Sequence, residues 1–391
     1  MAVGIVAEFN PFHNGHLYLI QKAKELYPHE PLIIILGGNF LERGEVSILN
    51  KWQKTEIALD YNVDIVVELP FPFATQSADY FAYGAITLLK ELQVDKIIFG
   101  SESNDLEMFS NFADIQLKHP EYQQYVKQEM ASGKNYPTAL SNALKTITGK
   151  EIRLPNDTLA LSYIREIKRQ QANITPISIQ RTNDYHNLSD NHITSAESIR
   201  KLLLENQDIT QYIPSKVKVK TPILTNEQYF PYLKYQIMTH YDHLETFQTV
   251  DEGMNTRIKK AIVKANNYQE LIQLLKTKRY TYNRIQRMLT HILCNFTKEE
   301  AKMMKEPEYI RVLGFSNLGK DYLNQIKKNL NIPLITTYSK GNSNMLKLEQ
   351  RITACYALPL SLEEQKKLWE DEYKKGPIQN ELNPKSWTVY N

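Results

Sequence analysis

Covalent scaffolding is scarce in this chain: 391 residues carry two cysteines, Cys294 and Cys355, far apart and outside any CxxC pair. A disulfide framework and a thiolate zinc site are thereby excluded, and a reducing compartment fits. Long hydrophobic runs are missing too. The best of them, residues 32–36 and 65–69, fall well short of the ~18–20 apolar residues that span a bilayer. The N-terminus leads straight into a strand, with no basic region and long apolar stretch of a secretory signal. The expectation is a cytoplasmic protein with no membrane partner. Charge of one sign is also modest, at a formal net +3, too little to imply nucleic-acid binding by itself; DNA is not an expected partner. The glycine-rich phosphate loops GxGxxG and GxxxxGK[ST] are both absent, which removes the commonest dinucleotide and ATP signatures.

What is present is ordinary globular composition, 42% hydrophobic and 23% charged, in a chain longer than the ~250–300 residues one core serves comfortably. Two domains are expected, residues 1–206 and 207–391. In the first, β-branched runs at 2–8, 32–36, 64–69, 96–99 and 174–179 alternate with helical patterns at 15–26, 51–59, 83–92, after Pro155, and at 196–204. Alternation of this length implies parallel crossovers and a doubly wound α/β sheet. Beyond Gln207 helical signals dominate, notably 257–276 and 282–296, with strand-like patches at 311–315 and 333–336; the second domain is expected to be mainly helical.

The chemistry concentrates in Asn10-Pro11-Phe12-His13-Asn14-Gly15-His16. Two imidazoles lie three residues apart where the first strand hands over to the first helix, and doubly wound sheets bind nucleotides there, on free N–H groups at a helix N-terminus. The intervening glycine lets a phosphate approach the backbone, and histidine donors can follow charge onto phosphoryl oxygens in a transition state. Two histidines so placed can also simply cap a helix, or ligate zinc, although no cysteine or carboxylate stands at ligand spacing and no metal-ligating residue is assigned.

The run from Gly4 to His16 resembles the HxGH signature of the nucleotidyltransferase superfamily, shared with class I aminoacyl-tRNA synthetases and nicotinate mononucleotide adenylyltransferases. More narrowly, it resembles the bacterial tRNA(Met) cytidine acetate ligase family. The further stretches that carry this are Gly37-Gly38-Asn39-Phe40-Leu41-Glu42-Arg43-Gly44-Glu45, Val67-Glu68-Leu69-Pro70-Phe71-Pro72-Phe73-Ala74, Phe99-Gly100-Ser101-Glu102 and Pro155-Asn156-Asp157. The resemblance implies an ATP-dependent ligase that activates acetate as acetyl-adenylate and transfers acetyl to N4 of the wobble cytidine of elongator tRNA(Met), with Mg2+ accompanying ATP. It implies catalytic roles for His13 and His16. It places ATP contacts on Ala7, Glu8, Phe9, Asn10, Pro11, Phe12, His13, Asn14, Gly15, His16, Leu17, Tyr18, Leu19 and Ile20, and on Gly100, Asn156 and Arg181. One departure is visible: the family pattern leads to an asparagine pair, whereas this chain has Asn156-Asp157, so only Asn156 is carried over.

The residues themselves bear on these positions. Gly100 ends the fourth strand, where a residue without a side chain could floor an adenosine or merely end a strand. Asn156 could touch nucleotide or cap a helix. Arg181, after the fifth strand, could clamp phosphate. Near residue 194 a helix starts with a capping box, Thr194 with Glu197; Ser195 and Ser198, with Arg200 nearby, resemble the segment by which adenylyltransferases hold β and γ phosphates. For acetate, the 37–44 loop could supply backbone donors and Arg43 a charge, unless Arg43 is simply a solvated loop residue. Between 257 and 290 nine Lys or Arg face a single Glu270, with tyrosines interleaved at 268, 280 and 282. That pattern suits an RNA backbone and unpaired bases, or only a solvated surface; Lys278, Arg279, Arg284 and Arg287 are the tRNA-binding candidates. Two other functions stay open: an adenylyltransferase acting on a nucleotide or phosphopantetheine acceptor, and a non-catalytic tRNA-binding protein with a nucleotide site.

Overall fold

The structure, a computed structural model, describes residues 1–181 and 193–380. Its first half alternates as expected: β1 Val3–Ala7, α1 Asn14–Leu26, β2 Leu32–Gly37, α2 Lys51–Asp60, β3 Ile65–Leu69, α3 Phe71–Ala74, α4 Ala78–Glu91 and β4 Lys96–Ser101. Three helices that the sequence reading did not place follow, α5 Leu106–Lys118, α6 Tyr122–Ala131 and α7 Tyr136–Thr148. Then come α8 Pro155–Arg169, β5 Thr175–Gln180 and α9 Ala196–Leu204. The second half holds α10 Phe230–Thr239, α11 Met254–Ile262, α12 Tyr268–Leu275, α13 Tyr282–Leu293, α14 Lys298–Met303, β6 Ile310–Ser316, α15 Asn317–Ile326, β7 Leu334–Ile335, α16 Asn344–Ala357, α17 Leu362–Lys374 and β8 Ile378–Asn380. The expected single helix over 257–276 is two, because Asn267 turns its side chain back to accept from the Glu270 N–H and caps a fresh start.

Strands run in the order β5-β4-β1-β2-β3-β6-β7, with β8 also paired to β6. β1 to β5 are mutually parallel. Side chains alternate between the two faces: Ile33, Ile35, Ile65, Val67 and Ile97 join one core, while Val3, Ile5, Ile34, Val66 and Ile98 join the other. Both faces are covered, the condition for a mainly parallel sheet.

The expected division after residue 206 does not follow the sheet. β6, from the second half, pairs antiparallel with β3, so residues 310–316 close an edge that the first half leaves open. The strand signal at 311–315 was legible, but nothing local in it says which strand it joins. A set of buried charges stitches the same seam. Lys51 lies 2.6 Å from Glu68 and 2.9 Å from Glu372, Arg311 pairs with both acids, and all four side chains are at most 2% exposed. The helical signals between 230 and 292 form a third core of their own, from Phe230 to Ile292.

This helical module leans on the loop after β2. Gly44 has φ +78, and a Cβ there would lie 2.5 Å from the Arg287 backbone nitrogen, while Thr290 Oγ1 donates to the Gly44 carbonyl at 2.7 Å. Gly44→Ala therefore meets both a left-handed backbone and a clash. We expect it to destabilise the fold by more than about 1 kcal/mol, read as a lowered urea midpoint.

Candidate active site

Five residue pairs join β1 to β2 and six join β4 to β5, but β1 and β4 pair only at Val3 with Lys96 and Gly4 with Ile97. Beyond Ile97 the ladder between them stops. The chain order also reverses here, since β2 and β3 lie on one side of β1 and β4 and β5 on the other. A crevice at the carboxyl ends of strands, at such a switch point, is where open α/β sheets take ligands. The turn leaving β1 runs along it, with Phe9 at φ 51. Phe9 and Phe12, both buried, pack edge to face at 4.8 Å and anchor the turn.

His13 is the N-cap of α1. Its Nδ1 accepts from the Gly15 N–H at 3.0 Å, and the His16 Nδ1 accepts from the His13 N–H at 3.3 Å. The helix cap and the catalytic candidate are thus the same residues, and the two readings open at the sequence level are compatible. With Nδ1 accepting, a neutral ring carries its proton on Nε2. Both rings are neutral: burial pushes the His13 pKa down to about 3, helped by the charges of Arg181 and Arg200, and burial with His13 and Arg181 pushes His16 well below the ordinary value. The rings lie 3.8 Å apart. Gly15 acquires a specific reason, because a Cβ there would come within 2.9 Å of the His13 Cε1 and prevent the ring from folding back onto the cap.

The other expected nucleotide contacts converge from β4, α8 and β5. Arg181 donates from Nη1 to Asn156 Oδ1 at 3.3 Å, and a Cβ on Gly100 would stand 3.1 Å from the Arg181 side chain. Asn156 donates in turn to Glu102 Oε1 at 2.6 Å. Asp157, the departure from the family pattern, has a defined task. Its Oδ1 accepts from Ser101 Oγ at 2.8 Å and from the N–H groups of Glu102 and Ser103 at 2.8 and 3.1 Å, fixing the loop that follows β4. At α9 the cap is Ser195 rather than Thr194: Ser195 Oγ accepts from the Ser198 N–H at 3.1 Å and touches Ser198 Oγ at 2.9 Å. The capping register is one residue later than expected, which frees Glu197 to face Arg43 at 3.7 Å. Arg43 therefore carries a surface ion pair.

Four positions passed over or underused by the sequence reading complete the site. Lys54, fully buried, donates to the carbonyls of Glu8, Gly37 and Gly38 at 3.0, 2.6 and 2.7 Å, clamping the carboxyl ends of β1 and β2 together. Burial lowers its pKa to about 7, opposed by Glu8 and Glu68. Glu8 accepts from the Glu42 N–H at 2.6 Å and is itself raised to about 7 by burial. Arg200 bridges the Asn10 carbonyl at 2.9 Å and Glu45 at 2.7 Å, tying α9 to the first loop. Asn10 accepts from the Ile48 N–H, while its own Nδ2 is buried without a partner, an idle donor beside the histidines. The signal for Lys54 was its place among Lys51, Thr55 and Ala58 on one helical stripe, all buried.

A family model described as HIGH Nucleotidyl Transferase matches residues 1–371. A tRNA(Met) cytidine acetate ligase from Geobacillus sp. (strain WCH70) is 39% identical over 397 residues, covering 96% of this chain and 99% of that protein. The chain belongs to the tRNA(Met) cytidine acetate ligase family. The Bacillus subtilis (strain 168) member is 35% identical over 401 residues, at 96% and 97% coverage. A crystal structure of Thermotoga maritima TmcAL bound with alpha-thio ATP matches with a TM-score of 0.87 at 29% identity, over 98% of this chain and all of that one. Its apo form matches with a TM-score of 0.88 at 28% identity, over 98% and 100% of the two chains. The α/β nucleotidyltransferase architecture read from the sequence is the architecture of this family.

In this acetate ligase family member the basic residues proposed for tRNA divide into two kinds. Lys278 and Arg279 are exposed. Arg287 is not available in the same way: it pairs with Glu42 at 3.0 Å, with 14% of its side chain exposed, and so belongs to the support of the loop after β2. Arg284 stacks on the Tyr280 ring at 3.9 Å. The reason is helical phase, since 284 and 287 fall on or beside the face that α13 packs inward. Among the described residues no helix is long and apolar enough to cross a membrane.

Two outcomes follow from the paired imidazoles. His13→Asn keeps an N-cap acceptor but loses the reach of Nε2–H; we expect near-wild-type stability with ATP-dependent turnover at least about 100-fold lower, whereas His13→Ala also loses about 1 kcal/mol of stability. On acidification the unfolded chain takes up protons near pH 6.5 that the folded rings refuse. Stability should therefore fall as pH drops from 6.5 toward 3, by about 1.4 kcal/mol per pH unit for each ring held neutral. A pH series of urea midpoints, with ring titrations followed by NMR, checks it.

Proposed function

We propose that the protein is an ATP-dependent ligase that activates acetate as acetyl-adenylate and transfers the acetyl group to N4 of the wobble cytidine of elongator tRNA(Met). The observation that carries this reading is the pair of neutral, Nε2-protonated imidazoles at the switch-point crevice, with Arg181 beside them, in a chain of this family. An acetate oxygen attacks the α-phosphorus of ATP, forming the new P–O bond as the bond to pyrophosphate breaks. His13 and His16 donate from Nε2 to phosphate oxygens as negative charge accumulates on the leaving group, and Arg181 balances it. Ser195 and Ser198, with the start of α9, suit the outer phosphates. The idle Nδ2 of Asn10 is a donor for one of the anionic oxygens.

In the second step the cytidine amine, turned out of its stack, forms a C–N bond to the activated carbonyl, loses one proton, and AMP departs with the C–O bonding pair. Burial of the intermediate limits its hydrolysis. Among the described residues no group of three His, Cys, Asp or Glu side chains could hold a metal, and both Nδ1 atoms are already engaged by backbone N–H groups. A Mg2+ ion would be held by the oxygens of ATP itself, where it neutralises charge.

Incubation with ATP, labelled acetate and total bacterial tRNA should yield labelled N4-acetylcytidine after digestion. His16→Ala should abolish acetate-dependent ATP–pyrophosphate exchange while leaving tRNA affinity close to wild type. Exchange at the wild-type rate by that variant would refute the role of the histidine pair, and a dinucleotide product with some other acceptor would favour an adenylyltransferase.

A further inference from the structure

Away from the crevice, the segment between α12 and α13 and the start of α11 enclose a groove of about 560 Å³, with Gly133 of the α6–α7 turn on its rim. Arg257, Lys260, Lys278 and Arg279 line it, against the single acid Glu252. The cations are not all alike. Arg257 is used internally, donating to the carbonyls of Leu274 and Lys276 at 3.1 and 3.0 Å. Arg279 stands 4.0 Å from Glu252. Lys260 and Lys278 are exposed, and neither has an ion-pair or hydrogen-bond partner among the described residues. By contrast Lys259, next in sequence but turned away, has Asp242 at 3.5 Å. Two uncompensated ammonium groups and a guanidinium thus face one concave surface, and α11 begins there at Gly253 with no side-chain cap.

We propose that this groove holds consecutive phosphates of the substrate tRNA backbone. The inference rests on tRNA being the substrate, as proposed above, and it says where the strand lies. A groove that tracks a phosphate chain needs spaced cations on a concave wall, and no base-reading contacts. The location also fits. Tyr280 lines the groove and carries the Arg284 guanidinium on its ring. Less than one turn further along α13, about 4.5 Å of rise, Arg287 grips Glu42, whose N–H meets Glu8 at the end of β1. A strand seated in the groove is therefore connected to the catalytic loop through one rigid helix. Of the tRNA-binding candidates Lys278, Arg279, Arg284 and Arg287, the proposal keeps Lys278 and Arg279 at the groove, adds Lys260, and treats Arg284 and Arg287 as supports through Tyr280 and Glu42.

The test replaces both free lysines, Lys260→Gln with Lys278→Gln, and compares the result with a matched pair outside the groove, Lys327→Gln with Lys328→Gln. We expect the groove variant to keep the wild-type Tm and the KM for ATP, to raise the Kd and KM for transcribed tRNA(Met) about tenfold, and to flatten the slope of log Kd against log salt by about 1.5. An equal effect from the matched pair would reduce the groove to a contribution of net charge and overturn the proposal. Unchanged tRNA affinity in the groove variant, with inorganic phosphate binding lost by calorimetry, would overturn it in favour of a small-anion site. Tight wild-type tRNA binding with an unaltered salt slope in the variant defeats the groove alone, whereas absence of wild-type tRNA binding defeats the substrate reading together with it.

Discussion

The crevice depends on how two imidazoles are tied to the backbone. Each ring gives Nδ1 to an amide N–H at the start of α1, which fixes ring orientation, fixes the tautomer and leaves Nε2–H as the only donor each ring can offer. Burial and the nearby Arg181 then hold both rings uncharged, with Arg200 adding to the effect at His13. A neutral donor binds the ground-state triphosphate less tightly than an imidazolium would, yet its hydrogen bond strengthens as charge moves onto the departing phosphate. Only that differential part lowers a barrier. The arrangement also couples the first turn of α1 to the position of both rings, since displacing one ring without a replacement acceptor uncaps the helix.

The surrounding scaffold restrains that turn from several directions. Lys54 fastens the tips of β1 and β2 through three carbonyls, and Arg200 brings α9 onto the Asn10 carbonyl. Arg287 and Thr290 of α13 hold the loop of Glu42 to Gly44, so the helical module supports the pocket as well as adding surface. A buried lysine with three carbonyl partners is polar and yet satisfied, the condition under which such groups are tolerated in a core.

Much of this was legible in the amino-acid sequence because the first half obeys local rules. β1, β2, β3, β4 and β5 are short β-branched runs ended by glycine, proline or polar residues, and the HxGH motif sits where strand gives way to helix. What was not legible was long-range. The joining of residues 310–316 to β3 depends on an edge some two hundred and fifty positions earlier, and the inward turn of Arg287 depends on Glu42 across the same distance. Both look, in sequence, like a stray strand and one more charge in a basic stretch. The α9 cap falls one residue later than expected, on Ser195 rather than Thr194, in line with the stronger capping preference of serine. Helices α5 to α7, which the sequence did not reveal, bury Phe109, Phe112, Val126 and Leu144 in the core on one face of the sheet.

The seam of buried charge bears on how the chain comes to be made. Lys51 and Glu68 belong to the first half of the chain, but Arg311 and Glu372, which complete the cluster, are translated well after them. Until those residues leave the ribosome, the nascent sheet carries a bare edge along β3 and an ion pair lacking half its partners, both costly to bury. Completion of the first half is thereby deferred until those later residues are made, and a polypeptide terminated before them would emerge unable to close its own core.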